Sequence, residues 1–328
     1  MNKNKRLFIN GTPSDYVFVP AFKMSEVVRG GSDRLHPAFI HKGKPISGFY
    51  VSKYQCASPD GFALSVVNAS PTVSVTLDEA GAIASACGEK FGLISALQWG
   101  AIALLCNKNG FLPKGNNDFG KDYSESEFIA KPCSTDGDKT GVVLTGSGPV
   151  SWAHDGTSDG IYDLNGNIWE WNAGIRLVYG EIQLAEFPQF SQNADWKAID
   201  SDTGKLIAPN GLGTTSGSVK LDFADEGWQF TANECDRNPK IRNCLFNKIT
   251  IDKTIGDNAK ELLLSLGLLP LSDTGDLLFY ACNGAPEVVC FRGGKWSLGS
   301  NSGLFKTCLD DPRTLKGAIG IRSVYIEE

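Results

Sequence analysis

Apolar positions recur at helical spacing in two neighbouring stretches of the chain. In PTVSVTLDEAGAIASACGEKFG, Leu77, Ala80, Ile83, Ala84 and Cys87 share one face. Thr76 followed three residues later by Glu79 is a capping-box signature, so the pattern predicts a helix over residues 77–89. Ser95 with Gln98 repeats the signature, and Leu97, Ala101, Leu104 and Leu105 predict a second amphipathic helix ending near Asn109-Gly110. Upstream, the turn in GKPISG leads into a strand over residues 49–54. The first forty residues break short apolar runs with Gly, Pro and Ser, and read as an irregular N-terminal arm over 1–45.

Beyond the second helix, residues 111–147 are polar and rich in Gly, Asp, Asn, Lys and Ser, the composition of long surface loops. The stretch 176–271 mixes alternating runs such as IRLVYGEIQLAEF with a Gly/Ser/Thr patch and a helix over 259–266. It reads as a long insertion within the 46–328 domain. Short strands separated by Gly-rich turns close the chain, and no internal repeat is visible.

The chain has 328 residues with Lys+Arg 31 against Asp+Glu 37, so 31 − 37 gives a net charge of −6. No broad basic field exists to attract nucleic acid or anionic lipid. The opening residues carry no apolar core of signal-peptide type, and no secretory signal is expected. The longest apolar runs, 101–106 and 262–271, fall short of the ~18–20 residues of a membrane span, so membrane insertion is not expected either. Nine cysteines without a CxxC pair fit neither a disulfide framework nor a zinc finger. They are expected to be reduced, with Cys235 and Cys244 the nearest local pair.

Four segments in fixed order point to a family: GFYVSKYQ, the two-helix stretch ending LISALQWGAIA, GIYDLNGNIWEW, and FRGGKWSLGSNSGLF followed by GIR. Together they resemble the C-type lectin fold of the formylglycine-generating-enzyme (sulfatase-modifying factor) type. The resemblance implies an α+β domain with a twisted, mostly antiparallel sheet, two packed helices and long loops. Ile94 and Ser95 stand where that family usually has Pro and Thr, a change that keeps the N-cap.

The turn in GIYDLNGNIWEW has its own physical logic. Asp163 and Glu170 flank Asn165-Gly166-Asn167, and a compact turn of this kind aims oxygens inward, as a hard cation requires. The resemblance implies a structural calcium held by the side chains of Asp163 and Glu170 and the carbonyls of Gly166 and Ile168. The alternative is that Asp163 caps the turn while Glu170 pairs with a buried arginine, Arg292 or Arg322. No other cofactor is expected. Trp169 and Trp171 read as core.

Catalysis fits the residues poorly. A copper-dependent cysteine oxidase of the resembled family needs two thiolates after the RGG motif, and here Cys308 stands alone. Iron-dependent relatives need a histidine cluster, and the chain has only His36, His41 and His154. His154 with Asp155 lacks a GxSxG nucleophile elbow. A nonheme or copper oxidase is therefore the alternative, and a non-catalytic binder the expectation.

The segment 291–322 carries that expectation. It resembles the variable region of proteins diversified by retroelements, including phage tropism determinants: a framework of Phe291, Arg292, Gly293, Gly294, Trp296, Gly299, Gly303, Phe305, Gly320 and Arg322 is interleaved with changeable polar positions. Glycines permit tight turns and buried aromatics anchor them. By position in that pattern, Lys295, Ser297, Leu298, Asn301, Lys306, Cys308, Asp310, Asp311, Thr314 and Lys316 are the ligand-contact candidates. Adenine-directed diversification of Asn codons cannot yield Lys, yet Lys holds three of these positions. The resemblance further implies a phage or prophage tail protein in the virion, made in the host cytoplasm. Its partners would be a bacterial cell-surface protein or glycan and other tail proteins, and it would form a homotrimer using weak sites together. A fixed-specificity bacterial adhesin, or a protein of the bacterial cytoplasm, is the other reading.

Overall fold

A computed structural model describes residues 4–225, 227–271 and 276–327. The chain opens with a hairpin, β1 (Lys5–Ile9) and β2 (Thr12–Pro20). Its turn residues Asn10 and Gly11 both have positive φ, 46° and 78°, the conformation that matches a two-residue loop to the twist of its strands. Next come β3 (Gly48–Ser52), α1 (Leu77–Ser85), β4 (Phe91–Leu93) and α2 (Ala96–Lys108). After a long irregular stretch follow β5 (Trp169–Val178), β6 (Glu181–Leu184), β7 (Lys197–Ile199), β8 (Lys220–Ala224), β9 (Gly227–Thr231) and β10 (Arg242–Leu245). The chain closes with α3 (Asp257–Ser265), β11 (Leu278–Ala281), β12 (Val288–Gly293), β13 (Gly303–Asp311) and β14 (Ser323–Tyr325).

Two sheets organise these strands. The smaller has the order β1-β2-β3-β14-β4 and is antiparallel throughout. Residues 5–20 are thus an ordered edge of this sheet rather than the irregular arm expected from sequence. Tyr16, Val17 and Val19 are buried there, an apolar pattern that the flanking Pro13 and Pro20 interrupt in the sequence. The larger sheet runs β10-β11-β13-β12-β5-β6-β8-β9, with β7 beside β6. Along that path β11 and β13 pair in parallel, as do β9 and the short strand Thr250–Ile251 beyond it, and the other neighbours are antiparallel. The architecture is the expected α+β arrangement, with mostly antiparallel sheet and two helices packed on it. Among the described residues, no helix is long and apolar enough to cross a membrane.

Both helix starts form as their signatures predict. Thr76 Oγ1 accepts from the N–H of Glu79 while Glu79 reaches back to Thr76, and Ser95 and Gln98 do the same. α1 ends four residues earlier than predicted, and Phe91–Leu93 then forms β4. α2 is buried nearly all round rather than along one stripe, because α3 lies against its other side. A Cβ on Gly100 would come 2.1 Å from the carbonyl oxygen of Ser265, so glycine is what lets these helices touch backbone to backbone.

The stretch 176–271 supplies β6 to β10 and α3, and its Leu221, Trp228, Phe230 and Leu263 share the main core with Trp99, Ile102 and Leu104 of α2. The sheet runs through it without a break. Burying a large aromatic in a shared core couples the stretch to the rest, so Phe230→Ala should cost about 3–5 kcal/mol and calorimetry should show a single transition that moves as a whole. Two transitions, with only the lower one shifted by the substitution, would show instead that the stretch folds apart.

Candidate functional site

The segment GIYDLNGNIWEW curls because three of its residues adopt left-handed backbone: Asp163 at φ 64°, Gly166 at 77° and Asn167 at 62°. A Cβ on Gly166 would fall 2.1 Å from the carbonyl of Asn116. The curl points carbonyl oxygens to one spot, and the side-chain amide of Gln55 fills it. Gln55 Nε2 lies 3.0 Å from Asp163 O, 3.3 Å from Gly166 O, 3.1 Å from Ile168 O and 3.0 Å from Glu170 Oε1. Its orientation is fixed from the other end, where Asn167 Nδ2 donates to Gln55 Oε1 at 2.9 Å.

Glu170 is at the same time clamped by Arg322, whose Nε and Nη2 donate to its two carboxylate oxygens at 2.6 and 2.7 Å. The remaining guanidinium donors reach Ser52 O and Tyr162 O at 2.9 and 3.0 Å. Both side chains are fully buried. Such a pair is tolerable only when its hydrogen bonds are satisfied, and here the arginine is satisfied at every nitrogen. Asp163 turns its carboxylate away, accepting from the N–H of Gly146 at 2.9 Å; burial pushes this carboxyl up to about 6, against the pull of that hydrogen bond.

These facts bear on the expected calcium site. Gly166 O, Ile168 O and Glu170 do converge, as the sequence reading has it, but the Asp163 contribution is its carbonyl and not its carboxylate. Calcium takes about six to eight oxygens at roughly 2.3–2.6 Å, whereas four oxygens here surround an amide nitrogen and the one ionised ligand is already neutralised by Arg322. The residues as arranged fit a hydrogen-bond donor rather than a calcium ion, and the alternative pairing of Glu170 with Arg322 is the one formed. Arg292 instead donates to Leu266 O at 2.8 Å.

The C-terminal segment lies directly on this core. Arg292 pairs with Glu170 across β12 and β5, and residues 319–320 run parallel to 169–170 on the other side. Eight of the ten candidate contact residues fall into three groups. Lys295, Ser297 and Leu298 are half-buried in the turn between β12 and β13, with Lys295 Nζ 5.3 Å from the centre of the Trp296 ring. Thr314 and Lys316 are exposed on the following loop, where Lys316 pairs with Glu79 at 2.8 Å. Lys306, Cys308 and Asp310 alternate along β13.

That third group departs from the expectation of surface contacts. Lys306 and Cys308 are only 2% and 4% exposed. Lys306 Nζ donates to Leu278 O and Asn301 Oδ1, both at 2.8 Å, and sits 4.3 Å from the centre of the Tyr280 ring. Burial brings its ammonium down to about 8. Asn301 therefore points inward as a bracket for Lys306. Asp310 and Asp311 are half-buried; desolvation, then the neighbouring Asp311, pushes the Asp310 carboxyl up to about 7. Residues 304–309 of β13 are buried on both faces of the sheet whatever their polarity, and alternation in the sequence does not reveal that both sides are covered.

The catalytic alternatives gain nothing from the geometry. Cys308 is buried and its thiol is pushed well up by desolvation. His154 Nδ1 accepts from the N–H of Ile161, and Asp155 folds back onto Thr157. All nine cysteines are free thiols, Cys235 and Cys244 included. Among the described residues no three His, Cys, Asp or Glu side chains gather as a metal site would need. The sequence reading missed Gln55, whose signal was its place in the GFYVSKYQ segment, and the wall that residues 111–124 build beside the turn at 299–303.

No known family profile matches the chain, and no curated protein matches it significantly. Among solved structures it is similar to the Major Tropism Determinant P3c variant, at 12% identity and TM-score 0.33 over 95% of this chain and 63% of that one. It is similar to PvdO from Pseudomonas aeruginosa, at 14% identity and TM-score 0.39 over 95% and 94% of the two chains. Treponema denticola variable protein 1 aligns over 99% of both chains, at 10% identity and TM-score 0.36. The chain thus spans less than two thirds of the length of the tropism determinant.

Gln55→Ala removes the one donor that four inward oxygens share and should cost at least about 2 kcal/mol. The melting temperature of the unaltered protein should be the same in excess chelator and in millimolar calcium. A chelator-sensitive melting temperature would show that a cation, not the amide, holds the turn.

Proposed function

We propose that this protein is a non-catalytic ligand-binding protein whose 291–322 segment forms the recognition surface. In this reading it is a phage or prophage tail component that recognises a bacterial cell surface. The single observation that supports the reading is the split within that segment. Arg292, Gly293, Gly320 and Arg322 are buried; the strands of Arg292 and Gly320 pair beside Glu170, Gly293 O accepts from the N–H of Gly166, and the Arg322 side chain clamps Glu170. Lys295, Ser297, Leu298, Thr314 and Lys316 stand around them at or near the surface. A fixed backbone carrying replaceable polar side chains is what a binding surface of adjustable specificity needs. The resemblance of the segment to retroelement-diversified variable regions supports the same reading.

A second reading, a binder of fixed specificity, is favoured by one observation. Lys306 and Cys308 lie beneath the surface with Lys306 doubly hydrogen-bonded, so these positions serve the framework of this chain and are not free to vary.

The test is capture of whole bacterial cells from mixed culture by the bead-bound protein. Replacing Lys295, Ser297, Thr314 and Lys316 together by alanine should lower capture about tenfold or more, with the melting temperature within about 2 °C of the parent, as for surface substitutions. Undiminished capture by the folded quadruple variant would move recognition away from this segment.

A further inference from the structure

Beside the turn that joins β12 to β13 lies a cavity of about 260 Å³ that no part of the sequence reading anticipates. One wall is the turn itself, through Ser300, Ser302 and Phe305; the other is the irregular stretch before the GIYDLNGNIWEW turn, through Leu112, Lys114 and Tyr123. We infer that this cavity is a subsite for one neutral hexose unit of a surface glycan, with the Tyr123 ring as its platform and the serine hydroxyls as its polar rim. The inference rests on the proposed recognition role of the 291–322 segment and names the chemistry of its ligand.

Three features of the cavity point to a sugar. First, Tyr123 is 56% exposed and Leu112 is 50% exposed, two large apolar side chains left open to solvent together at one concave spot. A sugar ring presents a C–H face that packs on an aromatic ring and hydroxyls around its edge that need partners, and Tyr combines an apolar body with a polar tip. Second, the rim offers exposed hydroxyls and little free charge. Ser300 and Tyr123 are exposed, the buried Ser302 hydroxyl donates to Lys295 O at 3.3 Å and keeps its oxygen as an acceptor, and Lys114 Nζ is 3.4 Å from Glu125. Asp122 spends its carboxylate on its own loop, accepting from the N–H of Gly115, from Asn117 Nδ2 and from Ser124. Among the described residues that line the cavity, a charged peptide side chain would find no free counter-charge, whereas a neutral polyol would find hydroxyl partners. Third, the volume is below the roughly 300–1,000 Å³ of drug-sized pockets, which suits a single ring rather than an extended ligand.

The walls are held rigid, as a preorganised site requires. Asn117 Nδ2 donates to both Asp122 and Asn165, Asn165 Nδ2 donates to Pro113 O at 2.9 Å, and the N–H of Gly299 donates to Asn117 O at 2.8 Å. The curled turn over Gln55 therefore also ties together the two walls of the cavity. Asn301 faces inward to Lys306 and Leu278, which leaves its neighbours Ser300 and Ser302 to line the opening.

The experiment is saturation-transfer NMR on the full chain with the methyl glycosides of glucose, galactose, mannose and N-acetylglucosamine, and the methyl glycoside of glucuronic acid as the charged comparison. At least one neutral glycoside should show saturable transfer concentrated on one ring face. Tyr123→Ala should cut that transfer about fivefold or more, while Tyr123→Phe should keep most of it, and both variants should melt with the parent because the side chain is on the surface. The inference is overturned if no neutral glycoside gives saturable transfer, if glucuronide binds as well as or better than every neutral sugar, or if Tyr123→Ala leaves the transfer unchanged. Failure here alongside loss of cell capture in the quadruple variant overturns the hexose assignment alone. Capture that survives the quadruple variant overturns the recognition role of the segment instead.

Discussion

A fully buried ion pair, Glu170 with Arg322, joins the middle of the chain to its end, and most of the architecture is arranged to make that pair tolerable. Ionised groups out of water are destabilising unless every polar atom is matched. The match comes from far along the sequence: Ser52 and Tyr162 supply carbonyls to Arg322, and Gln55 supplies its amide to Glu170. Three separate segments, 52–55, 162–170 and the one holding Arg322, therefore meet at one point, and none can shift without leaving a buried charge or amide unsatisfied. The smaller sheet, where β14 pairs with β3, and the larger sheet, where β5 pairs with β12, are tied together through this contact.

The consequence for function is a backbone that stays put. The segment after β12 begins at Arg292 and Gly293 on this core and returns to it at Gly320 and Arg322, so the residues between are held at both ends. Loops fixed in this way carry variable side chains without loss of fold. The long irregular stretch of 111–147 joins in through Asn116 and Asn117, whose amides donate to Asn167 and Asn165 of the curled turn, and Asn165 donates back to Pro113 O. What composition marks as surface loop is thus, in its first part, one wall of a shaped cavity.

Legibility in the sequence followed the range of the interactions. The capping boxes at Thr76 and Ser95 act over a few residues, and both helix starts could be read from them, whereas the α+β architecture came from the resemblance of four ordered segments to a known family. The pairing of Glu170 with an arginine was readable as one of two alternatives, since a buried carboxylate needs a partner. The place of Gln55 in the GFYVSKYQ segment marked the residue but not its role, because its four acceptors lie over a hundred positions away and a neutral amide carries no signature of burial. The hairpin of β1 and β2 was hidden by prolines at its margins, although Asn10-Gly11 is a strong hairpin turn. The burial of Lys306 and Cys308 escaped for a related reason: alternation along a strand tells which residues share a face, but not whether that face is covered.

The central claim is that a locked framework lies under a replaceable surface, and the most direct measurement is the folded fraction of a library of single substitutions across residues 291–322. The account predicts collapse at Arg292, Gly293, Lys306 and Arg322 and near-parental folding for most substitutions at Ser297, Ser300, Thr314 and Lys316. Uniform tolerance along the segment, or tolerance at Arg322 with collapse at Ser297, would contradict it.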